Sequence, residues 1–362
     1  MRLLRVQAQS FRNLGAEVID VDAPFVAFVG PNGQGKTNWL EAIAALGTLR
    51  SFRATRTAEL LKFGSREAMV EGVVHSDGMT RRYRIAWAEA GRTLRREDRT
   101  VDAVSWLRSF RAAWFVPGDV APIRGEPALR RAMLDRTALT LDPGYLSLAQ
   151  QFRRVLDHKA ACLRPGNADG PTLDAVDAQL AGLAVRVVAR RTETVASVAP
   201  HFRSFYREFC GDEEVSVRFR PQTTGDEDTF LRAQFAARGQ ERDLRRVMVG
   251  PHRDDLEFAV RGKPARAYAS QGQARSLVLA WKLAELACAR TTDETPIFLV
   301  DDLGSELDPD RTARLVRVVS ELGAQVFVTT TDTRFLPRSV EGIRVFSVEA
   351  GVARPTGTAD DG

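Results

Sequence analysis

No run of about 18 apolar residues, the length a helix needs to cross a bilayer, occurs anywhere in the 362-residue chain, so nothing reads as a membrane span. The amino terminus, Met1-Arg2-Leu3-Leu4-Arg5, carries no apolar signal core and no small-residue cleavage site, and a cytoplasmic location is the expectation. Cysteine is scarce: Cys162, Cys210 and Cys288 lie far apart and form no Cys-x-x-Cys pair, which leaves neither a disulfide framework nor a zinc site to expect. Repeats, low-complexity tracts and sustained heptads are missing too, excluding solenoids and long coiled coils.

What remains is an ordinary globular composition, 44% apolar and 27% charged, in a chain longer than a single core usually supports. Two domains are expected. The net charge of +5 comes from 52 basic and 47 acidic residues, most of the basic ones arginine, which favours bidentate phosphate contacts and permits a polyanionic partner.

The pattern predicts a strand over Leu3 to Ser10 and a short buried strand, Phe25-Val26-Ala27-Phe28-Val29, aimed at Gly30. A helix follows over Thr37 to Leu49, and Ala68 to His75 with Arg81 to Ala88 read as an antiparallel hairpin sheet. From Pro127 to about Tyr206 the pattern is helical, with a break at Arg164-Pro165-Gly166. Strands are predicted again at Val215 to Phe219, near Phe230 to Phe235, and at Leu256 to Val260; Ala274 to Ala289 reads as a helix and Pro296 to Val300 as a buried strand. The tail after Pro355 reads as disordered.

Gly30-Pro31-Asn32-Gly33-Gln34-Gly35-Lys36-Thr37 fits G-x-x-x-x-G-K-[ST], the Walker A pattern, between the strand and the helix that the motif requires. Its glycines let backbone amides converge on phosphates, Lys36 reaches the outer phosphates of ATP, and Thr37 offers an oxygen to Mg²⁺. Ile297-Phe298-Leu299-Val300-Asp301-Asp302 has the Walker B form, a strand delivering acids to the metal edge. Asp301 is the expected Mg²⁺ partner, and Asp302 stands where most ABC ATPases have a glutamate that polarises the attacking water. Because aspartate is one methylene shorter, slow hydrolysis is expected.

Ser270-Gln271-Gly272-Gln273 opens the helix upstream of that strand and resembles the ABC signature motif, in which serine, glycine and the helix terminus meet the γ-phosphate held by a second subunit. Ser305-Glu306-Leu307-Asp308 occupies the D-loop position, which puts Ser305 and Asp308 at a dimer seam. Two usual features are missing. A threonine cluster, Thr329-Thr330-Thr331, stands where transporters carry a switch histidine, and no glutamine occurs between Gln34 and Gln150 to serve as a Q-loop residue, leaving Asp119 as a candidate for part of that role. The fold class these motifs imply is α/β: an ABC-type P-loop ATPase head, residues 1–118 with 240–362, with an added antiparallel β-subdomain and a mostly helical arm domain, residues 119–239.

The chain resembles the RecF family, ATPases related to the heads of SMC proteins. Ser10-Phe11-Arg12-Asn13-Leu14, Ser51-Phe52-Arg53, Arg130-Arg131-Ala132-Met133-Leu134-Asp135 and Gly250-Pro251-His252-Arg253-Asp254-Asp255 carry the likeness, with Ser270 to Arg275 and Asp301 to Asp308 following in order. Pro117-Gly118-Asp119 departs from the family's usual Pro-Glu-Asp. The resemblance implies a weak, DNA-stimulated ATPase that forms an ATP-dependent homodimer on double-stranded and gapped DNA at single-strand/double-strand junctions. It further implies a RecR partner and, through RecO and RecR, loading of the RecA recombinase at gaps during DNA repair, replication, recombination and the SOS response to DNA damage. Arg130, Arg131, Arg153 and Arg154 are candidate DNA contacts or else solvated helix faces, and His252 either orders a turn or serves function directly. The alternatives are the ATPase subunit of an ABC transporter, disfavoured by the missing histidine and glutamine, and an SMC-like head, for which the interval from Thr37 to Ser270 is short and heptad-free.

Overall fold

A computed structural model of the protein describes all residues except 55, 90, 117–119, 165–169, 291–293, 307, 338–339, 341 and 357–362, and except the side chains of Ser305 and Glu306. The chain forms two compact units, Met1–Asp119 with Val278–Gly362, and Val120–Leu277.

The first unit opens with β1 (Arg2–Gln9), β2 (Ala16–Asp20) and β3 (Phe25–Val29), then α1 (Lys36–Thr48). Next come β4 (Glu67–Ser76), β5 (Met79–Ala88), β6 (Gly91–Arg96), β7 (Arg99–Thr100), α2 (Ala103–Ser109) and β8 (Ala112–Phe115). Six of these strands make an antiparallel sheet in the order β2-β1-β4-β5-β6-β7. Along β4 buried and exposed residues alternate, so one face packs inward, as the hairpin pattern predicted.

The second unit starts with α3 (Ala121–Arg124), α4 (Pro127–Leu141), α5 (Tyr145–Cys162) and the long α6 (Gly170–Cys210). After β9 (Val215–Arg220) come α7 (Glu227–Leu244), β10 (Asp255–Val260), β11 (Lys263–Pro264), α8 (Ala265–Tyr268) and the start of α9 (Gln271–Ala289). Phe152, Leu156, Leu180, Val187 and Phe230 share one apolar cluster, which joins α5, α6 and α7. Beside it, the buried Lys159 ammonium meets Asp177 and Glu241, each at 2.8 Å, and Arg238 supplies a second cation to Asp177 at 2.7 Å, so that these two buried carboxylates are matched by two cations.

The predicted strand near Phe230 to Phe235 is instead part of α7. Asp226 caps that helix by accepting from Thr229 N at 2.9 Å, and Phe230, Gln234 and Glu241 are buried at helical spacing. Residues 240–277, placed with the head by sequence, fall in the second unit. The cause is long-range pairing: β10 runs antiparallel to β9, and Arg130 of α4 grips Asp255.

The first unit resumes along α9 and adds β12 (Ile297–Val300), α10 (Leu303–Glu306), α11 (Pro309–Glu321), β13 (Val326–Thr330), β14 (Ile343–Glu349) and β15 (Val352–Thr356). Thr356, the first residue of the tail expected to be disordered after Pro355, is the last residue of β15; the remainder from 357 is outside the described residues. The second sheet of this unit runs β15-β14-β3-β13-β12-β8, with β14, β3, β13, β12 and β8 parallel. Its central strands are buried on both faces, which is why they read as unbroken apolar runs.

Candidate functional site

Strand order decides what meets at the carboxyl edge of the parallel sheet. β13 lies between β3 and β12, so its last residues fall between the loop after β3 and the acids after β12. The loop from Gly30 to Gly35 turns on three glycines at positive φ, Gly30 (154°), Gly33 (80°) and Gly35 (106°). Gly30 is also required sterically, because a Cβ there would sit 2.5 Å from the Val348 carbonyl oxygen.

Gly35 ends the loop as the N-cap of α1, and no side chain caps that helix. Its first-turn amides and the positive end of its dipole are therefore presented to an anion. Lys36 folds back so that Nζ donates to the carbonyls of Gly30 at 2.7 Å and Pro31 at 2.9 Å. Burial draws its pKa down from the ordinary lysine value, opposed by the charges of Asp302 and Asp301.

Thr37 Oγ1 donates to Asp301 Oδ1 at 2.9 Å, so the two predicted metal partners are already joined. Burial raises the Asp301 pKa, the hydrogen bonds from Thr329 and Thr37 oppose the rise, and the charge of Asp302 adds to it. A hydroxyl and a carboxylate are hard oxygen donors of the kind Mg²⁺ prefers, so this pair fits that ion. Asp302 adopts a left-handed conformation, φ 55°, rare outside glycine though tolerated by aspartate.

Thr329, to which the sequence reading gave no role, organises both acids. Its Oγ1 donates to Asp301 Oδ1 at 2.7 Å and accepts from Asp302 N at 2.8 Å. The signal was the threonine cluster at a strand end where a histidine was sought.

The front strings of the family likeness brace the loop. Arg12 makes a two-pronged contact with the buried Glu41 of α1, and Ser51 donates to the same carboxylate. Asn13 accepts from Asn38 Nδ2 at 2.7 Å, and Trp39 Nε1 donates to the Gly351 carbonyl at 3.0 Å. Gly351 N in turn donates to the Gln34 carbonyl at 2.7 Å and Ala350 N to the Gln34 side-chain oxygen at 2.8 Å, tying the loop to the β14–β15 turn.

In the second unit, Ser270 and Gln273 form a reciprocal capping box on α9. Gln273 N donates to Ser270 Oγ at 3.1 Å, and Ser270 N donates to Gln273 Oε1 at 2.8 Å. The serine oxygen accepts in this bond, so its own proton stays available to a further acceptor. Gln271 and Gly272 supply the first turn. Glu213, which holds Gln273 Nε2 at 2.9 Å and accepts from Tyr206 of α6 at 2.7 Å, was not foreseen.

Asp308 caps α11, accepting from Arg311 N at 2.9 Å. The Ser305 side chain and Asp119 lie outside the described residues.

Among the candidate DNA contacts, Arg130 requires correction. Its side chain is only 5% exposed, and its guanidinium binds both Asp255 oxygens and the carbonyls of Pro122 and Gly125. It holds the fold and has no free donor face for phosphate. Arg131 donates to the Asp254 carbonyl and is half-buried, whereas Arg153 and Arg154 are exposed on α5.

The strand order, the phosphate-type loop and the paired acids define an ABC-type P-loop ATPase head. No family model matches the chain. The DNA replication and repair protein RecF of Geobacter metallireducens is 39% identical over 98% of this chain and 100% of its own length, and that of Geobacter sulfurreducens 36% over the same shares. The chain belongs to the RecF family. A solved structure of the recombination mediator protein RecF with ATP, in the RecFOR pathway, superposes with a TM-score of 0.88 at 25% identity, covering 98% of this chain and 97% of that one. An Smc head bound to the C-winged helix domain of ScpA shares the fold, with a TM-score of 0.59 at 16% identity over 99% and 98% of the two chains.

Proposed function

We propose that the protein is an ATP-dependent, DNA-binding recombination mediator of the cytoplasm, acting in repair, replication and recombination. The observation that carries this reading is the pair Thr37 and Asp301, joined at 2.9 Å beside an uncapped helix terminus and a lysine already folded over the loop. Residues Gly30 to Thr37 bind the phosphates of ATP: the backbone amides of Gly33 to Thr37 surround them, and Lys36 exchanges its carbonyl partners for phosphate oxygens. Mg²⁺, held by Thr37 and Asp301, neutralises phosphate charge when bound.

Ser270, Gln271, Gly272 and Gln273 of a second copy cap the γ-phosphate, with the Ser270 proton as donor, and Ser305 and Asp308 line the seam. ATP is thereby the glue of a homodimer. Asp302 orients and deprotonates the attacking water, and its short side chain makes turnover slow, so that hydrolysis times release from DNA and is stimulated by it. The dimer forms on double-stranded and gapped DNA at single-strand/double-strand junctions, with Arg131, Arg153 and Arg154 as phosphate contacts. A RecR partner, with RecO, directs RecA to the gap.

Substituting Asp302→Asn is expected to abolish turnover while leaving nucleotide binding intact, so that ATP-bound dimers accumulate on gapped DNA. Phosphate release and retention on DNA-coated beads measure the two effects. Unchanged turnover removes Asp302 from this role.

A further inference from the structure

The turn at Lys62–Ser65 stands apart from the nucleotide loop and is used by none of the chemistry above. Ser65 N donates to the Lys62 carbonyl at 2.9 Å, and Gly64 occupies the third position at φ 82°, the geometry of a type II turn. Phe63, at the second position, points into solvent and is wholly exposed, with a relative accessibility of 104%. A Cβ placed on Gly64 would meet no atom within 4 Å, so the space at the tip is open.

A large aromatic side chain held entirely in water forgoes its whole hydrophobic contribution. Lys62 precedes it, and Arg56 and Arg66 lie within seven residues along the chain; all three are exposed and, among the described residues, have no ion-pair partner, while the acids of the same stretch are Glu59 and Glu67. The base of the turn is fixed, however. Lys62 N donates to the Ser10 carbonyl at 2.8 Å and Arg12 N to the Leu60 carbonyl at 2.7 Å, while Phe11 and Leu61 form a β-bridge. Arg12 itself grips Glu41 of α1. The tip is therefore a firmly based, exposed aromatic on a segment with three cations to two acids.

We propose that Phe63 is a base-stacking wedge, with Arg56, Lys62 and Arg66 as its phosphate clamps, for the first unpaired nucleotide at a single-strand/double-strand junction. One aromatic ring with unpaired cations matches single-stranded nucleic acid, where each base offers a π-face and each link a charge. A protein partner needs a patch of about 800 Å² on each side, far more than one ring supplies. This inference rests on the DNA-binding reading and names the residue that separates a junction from plain duplex.

Fluorescence anisotropy of the full chain with ATP, on a blunt duplex and on the same duplex carrying a single-stranded tail, tests it. Because Phe63 touches nothing, Phe63→Ala is expected to fold, bind nucleotide and bind blunt duplex as the parent does. Its affinity for the tailed duplex should fall about tenfold, within the range for loss of one base stack. Lys62→Glu with Arg66→Glu should weaken both DNAs and flatten the salt dependence. If Phe63→Ala binds the tailed duplex as tightly as the parent, the wedge assignment is overturned, and a protein-docking role takes its place. A parent chain with no affinity for either DNA overturns the DNA-binding reading itself, a distinct result.

Discussion

Thr329 shows how a single hydroxyl can serve two acids. It donates to Asp301 and accepts from the amide of Asp302, a residue held in a left-handed conformation. The donated bond favours the charged carboxylate, working against the burial that raises the Asp301 pKa. Protonated Asp301 cannot hold a cation, so metal-assisted nucleotide binding should weaken on acidification at a pH above the ordinary carboxylate range. Thr329→Val keeps the shape and removes both bonds. The Asp301 pKa then rises further, and the acid limb of a fluorescent-nucleotide binding curve should move to higher pH. Leaving the Asp302 amide without its acceptor costs about 1–3 kcal/mol in addition. Superimposable binding curves for parent and variant would show that the hydroxyl plays no such part.

At the scale of elements, two family strings turn out to be halves of one network. Arg130 and Arg131 of α4 meet Asp255 and the Asp254 carbonyl, and Asp135 meets Arg191 of α6, which also holds Asp254. Both strings were visible in the sequence, but not their pairing, since more than a hundred residues separate them. Charge alone made Arg130 look like a phosphate contact; burial against Asp255 is a tertiary fact. In the same way the short run Phe230 to Phe235 fits a strand as readily as a helix until Asp226 is seen to cap it.

His252 in this network gives a pH test. Burial pulls its pKa down from 6.5 to about 4, so the folded chain keeps it neutral while the unfolded chain takes up a proton near 6.5. Below that value the unfolded state binds more protons, and stability falls until about pH 4 is reached, by about 2–3 kcal/mol. Nε2 contacts the Val247 carbonyl at 3.1 Å, and a glutamine amide reproduces that contact without titrating. In urea unfolding at pH 7 and pH 4.5, His252→Gln is expected to lose less stability than the parent. Equal losses would place the acid sensitivity elsewhere.

For the whole molecule, the legible part was the part built from local pattern. Gly30 to Thr37 and Ile297 to Asp302 are contiguous stretches whose chemistry is written in order, and the buried strands before them carry an unmistakable apolar run. What escaped the sequence depends on sheet order and long-range contact: Thr329 between the two motifs, Glu213 behind Gln273, and residues 240–277 joined to the second unit. The central claim concerns two molecules, with Lys36 of one and Ser270 of the other closing on a single triphosphate. Light scattering of mixed variants addresses it most directly. Lys36→Ala and Ser270→Arg should each remain monomeric with ATP, whereas an equal mixture should dimerise, because pairing them restores one intact site. If the mixture stays monomeric while the parent dimerises, or if either variant dimerises alone as the parent does, the shared site does not exist.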